Sequence, residues 1–363
     1  VKNNRKLVNF GIYVERYTKG KKWFDLLDKV CPNIDLVQTK AFLHDLQFCD
    51  GTNEVVKVFS KMVYSIRFKP DELLLSGIID IKYIEVHHKE LEKEYRNKRI
   101  WDKLDEKFLI QDLPPSLKNF IEEYIFNQDT EIPKEVNLKE KKLFRATRNL
   151  LDRILPLWDA FNYKPGSFIN ESTWAHDIID PISRFIKTDI FGIYTNVNGK
   201  YNWEILYGEV SNGPFTNTPQ SKVHKIEDRV KLGKFAKDSL DNAFKHHARS
   251  YYSDFQKLNI FLLQSSELFI FDREYAPLFR LRRLALVELP FQKNSSSTEL
   301  VINLVKVLLV YRKLLLDNLT IIKSIELKSI IEDGEEQSNG GKSEFGYLIP
   351  TSNTSRSSIN IKK

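Results

Sequence analysis

Apolar residues recur at two spacings along this chain, and the change from one to the other falls near the turn Pro165-Gly166. Upstream, the spacing is helical. It is clearest in Trp23-Phe-Asp-Leu-Leu-Asp-Lys-Val, Phe59-Ser-Lys-Met-Val-Tyr and the runs 117–126 and 143–155. Prolines at 32, 70, 114, 115 and 133 separate these segments, because proline removes a helix donor and restrains the residue before it. The dense alternation of charges from Glu90 to Lys107 reads as a solvated helix face.

Downstream, the pattern mixes periods. A helix is predicted through Trp174, Ile178, Ile179, Ile182 and Ile186, capped by Asn170 or Ser172. Two strands follow, one opening at Asp189 and the other running from Trp203 to Val210, joined by a turn at Asn196-Val-Asn-Gly. Asn212-Gly-Pro ends the second strand. A long helix then turns Ile226, Val230, Leu232, Ala236, Leu240 and Phe244 inward. Three more strands are predicted over 258–263, 268–272 and 278–289, and a last helix over 298–324. From Asp333 the chain is rich in Ser, Asn and Gly and reads as a disordered tail. The expected organisation is a mostly helical region 1–164, an α/β domain 165–328 and a polar tail 329–363.

Composition narrows the class. The 363 residues are 42% hydrophobic and 29% charged, enough apolar content for a substantial core. The 56 basic and 49 acidic residues leave a net charge of +7, a mild bias toward an anionic partner. No apolar run approaches the roughly 20 residues of a membrane-spanning helix, so no membrane partner is expected. Cys31 and Cys49, with His44 between them, lack zinc-site spacing and read as reduced thiols of an intracellular protein, the nucleus being one candidate compartment. The chain opens on Val1 with no apolar targeting segment, which points to a missing start that could have carried one. There is no phosphate-binding Gly-x-x-x-x-Gly-Lys loop, no dinucleotide fingerprint and no Gly-x-Ser-x-Gly elbow at Ser211. A P-loop NTPase, a Rossmann dehydrogenase and a serine hydrolase are therefore disfavoured. His176, His246 and His247 lack partners at a defined spacing.

Against this background a few charged residues stand out: Glu171, Asp189, Glu209, Lys225, Asp228 and Lys231. A strand–turn–strand unit with an acid at the start of one strand and another at the end of the next brings two carboxylates together. Such a pair suits Mg²⁺, which demands hard oxygen ligands. The expected metal ligands are Asp189 and Glu209, with Glu171 an additional acid and Lys231 the positive charge for the transition state. Each has a structural alternative. Glu171 suits a first helical turn and Asp189 a turn position. Glu209, on a strand with little exposed surface, would serve as well in a salt bridge, and Asp228 with Lys231 as a surface i,i+3 pair.

The order Glu171-Ser-Thr-Trp, Asp189-Ile-Phe-Gly, Glu209-Val-Ser-Asn-Gly-Pro, Asp228-Arg-Val-Lys-Leu resembles the PD-(D/E)XK restriction-endonuclease-like superfamily over residues 165–320. It looks more closely like a group of fungal proteins, some tied to Crinkler-type effectors. The resemblance implies a mixed sheet flanked by helices and a nuclease dependent on Mg²⁺ or Mn²⁺ that acts on DNA or RNA. Its catalytic residues would be Asp189, Glu209 and Lys231, supported by Glu171, Asp228 and Lys225. One departure is plain: Ser211 stands where the superfamily's strand lysine belongs, so Lys231 or Lys225 from the next helix must replace it. The competing class keeps the fold without catalysis and binds nucleic acid or a host protein.

Overall fold

The fold comes from a computed structural model, which describes residues 54–63, 72–157, 171–187, 203–210, 218–247, 252–265, 267–275, 278–286 and 295–334. The calls on Asp189, Cys31, His44, Cys49 and the tail beyond Gly334 lie outside these residues, whereas 329–334, expected to begin the polar tail, continue the last helix.

The chain is α/β. Helix α1 (Glu54–Val63) leads to a short edge strand β1 (Ile78–Asp80) and two helices, α2 (Ile81–His87) and α3 (Lys89–Asn97). Asp80 ends β1 and starts α2, its Oδ1 accepting from the Tyr83 backbone N–H at 3.0 Å. In α3 the charged residues point outward while Leu91 and Tyr95 are fully buried, so the charge alternation does mark a solvated face.

Helix α4 (Pro115–Phe126) opens with proline, whose missing donor is harmless in the first turn. Helix α5 (Leu138–Ile154) opens with a reciprocal capping box between Asn137 and Glu140. A helical turn Glu171–Trp174 passes through a π-helical stretch, Ala175–Ile179, into α6 (Asp180–Lys187).

Strand β2 (Leu206–Glu209), the long helix α7 (Pro219–His246) and strands β3 (Asn259–Gln264), β4 (Glu267–Asp272) and β5 (Phe279–Leu286) follow, and then the 40-residue α8 (Ser295–Gly334). Thr218 caps α7 through its hydroxyl, with Pro219 in the first turn. The five strands form one mixed sheet in the order β1-β5-β4-β3-β2. β2 and β3 are parallel, with α7 as their crossover; β3, β4 and β5 run antiparallel in turn; and β1 lies parallel to β5. Ser265, at a left-handed φ of 53°, makes the tight connection between β3 and β4.

All six residues of β4 are buried, as are five of the six in β3, so helices cover both faces of the sheet. Phe261 meets Tyr311 of α8 edge to face at 5.1 Å. On the opposite face α7 buries Leu232, Ala236, Leu240 and Phe244. Each large apolar side chain so buried contributes roughly 1.5–3 kcal/mol. Ile226 departs from the expected inward set: it is 37% exposed, because the N-terminal part of α7 turns its polar residues, not Ile226, toward the sheet edge. The region read as mostly helical also differs in one respect, since it supplies β1.

Three charges are closed inside this core. Lys237 Nζ lies 3.1 Å from Asp241 Oδ2, and Arg273 Nη1 lies 3.4 Å from Asp241 Oδ1. Both cations also face the Phe279 ring. Burial pushes the Lys237 ammonium down and the Asp241 carboxyl up, against their mutual attraction. Among the described residues no helix is long and apolar enough to cross a membrane.

Candidate functional site

Strand pairing aligns Glu209, Gln264 and Glu267 side by side at one end of β2, β3 and β4. The period-2 alternation of strands puts all three on the same face, the one that carries α7. Thr218 and Pro219 start α7 just beyond β2, so its first turns pass over this row. Helical spacing then delivers two sets of side chains to it, Lys225 with Arg229 and Asp228 with Lys231.

The first set locks the fold. Arg229 donates from Nε to Gln264 Oε1 at 3.1 Å and from Nη2 to Glu267 Oε2 at 2.7 Å. Its Nη1 lies 3.9 Å from Asp80 Oδ2, and its plane stands over the Phe269 ring. Glu267, only 7% exposed, also pairs with Lys225 at 3.3 Å and Arg283 at 3.0 Å. Burial pushes the Glu267 carboxyl up, but the charges of Arg229 and Lys225 and the hydrogen bonds from Arg283 and Lys225 outweigh it, so the net shift is downward. Lys225, one of the two candidate replacement lysines, is thus taken up by Glu267.

The second set is the candidate active site. Lys231 Nζ donates to Asp228 Oδ1 at 2.9 Å and lies 4.0 Å from Glu209 Oε1. Of the two lysines, Lys231 is the one the fold brings to Glu209. The hydrogen bond to Asp228, opposed by partial burial and aided by the Asp228 and Glu209 charges, holds the Lys231 ammonium above its ordinary range. Asp228 is fully buried, and its Oδ2 makes no hydrogen bond; His224 Nε2 lies 3.4 Å from it. Asp228 and Lys231 are therefore more than a surface i,i+3 pair. The Glu209 side chain is 40% exposed.

The remaining candidates are not brought to this place by anything described. Glu171 begins a helical turn, and its side chain lies outside the described atoms. Asp189, and with it the expected distance of about 4–6 Å between its carboxylate and that of Glu209, lies outside the described residues. Among the described residues no three His, Cys, Asp or Glu side chains group to hold a metal ion. A cleft of about 350 Å³ between α5 and α6, lined by Asn149, Asp152, Arg153, Arg184 and Phe185, contains none of the candidate residues.

Sequence reasoning missed Asp80, His224, Arg229, Gln264, Glu267 and Arg283. The signal for two of them was present: Gln264 and Glu267 flank Ser265-Ser266 between two apolar strands, the position of a tight turn. Comparison with protein-family models, curated proteins and solved structures finds no match.

Proposed function

We propose that this chain hydrolyses nucleic-acid phosphodiester bonds with the help of Mg²⁺ or Mn²⁺, at a site built on Glu209 and Lys231, within a core of restriction-endonuclease type. The observation that carries the proposal is the 4.0 Å approach of the Lys231 ammonium, from the crossover helix α7, to the carboxylate that ends β2. It supports a lysine moved from the strand to the neighbouring helix, as Ser211 requires. The parallel β2–α7–β3 crossover also supports it, because ligands of such units bind beyond the carboxyl ends of the strands.

Glu209 fits the cation in part: it is a hard oxygen donor, partly exposed, beside the Lys231 ammonium. Asp228 does not fit, being buried with one oxygen committed to Lys231. The proposed ligands therefore remain Glu209 and Asp189. When bound, the cation would neutralise charge on the scissile phosphate and supply a water of lowered pKa. Lys231, held charged by Asp228, would face the phosphate oxygens and stabilise the negative charge that builds on them.

The test is cleavage of DNA and RNA oligonucleotides with Mg²⁺ or Mn²⁺ by the full chain. Glu209→Gln abolishes cleavage with the fold intact, and Lys231→Ala reduces it by about a hundredfold or more. Unchanged cleavage by Glu209→Gln overturns the proposal. A second reading, a binding module without turnover, is favoured by the closer partnership of Lys231 with Asp228 (2.9 Å) than with Glu209 (4.0 Å). Such a module retains nucleic acid in EDTA, with affinity falling steeply as salt rises and no metal-dependent product.

A further inference from the structure

We propose that His224 is the proton donor to the leaving oxygen in this reaction and that Asp228 is its positioning residue, an assignment that rests on the phosphodiesterase reading above. His224, Asp228 and Lys231 stand at i, i+4 and i+7 of α7 and so share one face. Two helical turns separate the outer pair, roughly 10 Å along the axis. Asp228 joins them from the middle. Its Oδ1 accepts from Lys231, and its Oδ2 looks toward His224 Nε2 at 3.4 Å. A fully buried carboxylate oxygen without a hydrogen bond is costly, and an Nε2–H turned toward it lowers that cost.

With Nε2 turned toward Asp228, Nδ1 is the nitrogen that faces away from it. It points to the side of Glu227, whose Oε2 lies 4.0 Å away, and the His224 side chain is 42% exposed. Among the described residues the charged groups it meets are Glu227 and Asp228 on its own helix; Asp228 in turn holds Lys231, which approaches Glu209 on β2. Glu267 on β4 is already matched by Lys225, Arg229 and Arg283.

Hydrolysis adds a water oxygen to phosphorus and breaks the P–O ester bond, and the bonding electrons leave with the alkoxide. That alkoxide needs a proton. Lys231 is held by Asp228 at 2.9 Å and is already assigned to the phosphate oxygens. An imidazolium carries a transferable proton: the Nδ1 proton passes to the leaving oxygen, and solvent later restores it.

The assignment is tested with the full chain and Mg²⁺ on oligonucleotides, against matched ones in which sulfur replaces the 5′ or 3′ leaving oxygen. A thiolate departs without a proton. His224→Gln slows the oxygen substrate by about a hundredfold or more while the sulfur substrate stays within about threefold of wild type. Asp228→Asn, which also loosens Lys231, slows both substrates but the oxygen substrate by the larger factor, a bias toward oxygen that a merely structural role would not produce. Glu209→Gln slows both substrates alike. An equal effect of His224→Gln on the two substrates, or no effect on either, overturns the assignment and leaves the phosphodiesterase standing. If wild type cuts neither substrate, or Glu209→Gln keeps full rate, the phosphodiesterase reading falls and takes the assignment with it.

Discussion

Arg229 Nη2 stands 2.7 Å from Glu267 Oε2, and through that bond one side chain of α7 governs the sheet end where the candidate site lies. The same guanidinium reaches Gln264 on β3 and approaches Asp80 on β1, so the β3–β4 hairpin and a strand far away in sequence share one cation. The planar fork of arginine is what allows this, since a lysine offers one point charge.

Loss of this cation leaves the Glu267 carboxylate buried with two of its three partners. Arg229→Met is expected to destabilise the fold by about 3 kcal/mol, the lower end of the range for a broken buried pair. Arg229→Lys should recover only part of the loss. Urea unfolding midpoints at neutral pH check both, and a change below about 0.5 kcal/mol for Arg229→Met would show the contact to be idle.

Glu267 also sets part of the acid stability. Its folded-state pKa lies below the ordinary 4.5, so its contribution is complete above that value and disappears as pH falls through the lower folded value. The wild-type unfolding free energy should therefore decline below pH 4.5. In Glu267→Gln it should start lower at neutral pH and lose that part of the acid slope. Parallel slopes for the two proteins between about pH 5 and pH 2 would count against the carboxylate's role.

The core charges Lys237 and Asp241 behave as a unit. Asp241→Ala leaves two buried cations, Lys237 and Arg273, facing each other's field, and is expected to cost about 3–5 kcal/mol. Lys237→Met with Asp241→Leu removes one charge of each sign and should cost clearly less than the sum of the single changes. A double-mutant cycle by denaturant unfolding measures the difference, and strict additivity would refute the coupling.

Much of the fold was legible because the deciding residues are local. Run 258–263 is offset from β3 by one residue, run 268–272 lacks only the first residue of β4, and helix α7 was visible in its apolar spacing. Strand β1 was not, because three residues between a helical turn and Asp80 are too few to show an alternation. Ile226 was misplaced for a related reason: apolar periodicity does not reveal that Lys225 and Arg229, rather than a neighbouring isoleucine, satisfy the acid and amide at the sheet end. At the site, Glu209, Asp228 and Lys231 were readable as a motif. Gln264, Glu267 and Asp80 join it only through strand pairing, which spacing along the chain does not encode.

The pairing of Ile78–Asp80 with Phe279–Leu281 has a consequence for how the protein is born. Emerging from a ribosome, β1 must wait for about two hundred further residues before its neighbour exists, at synthesis rates of 5–20 residues per second. During those many seconds its backbone N–H and C=O groups lack the strand they pair with. A fragment starting at residue 165 has the converse defect: β5 is made but its outer edge stays bare, an open template for self-association.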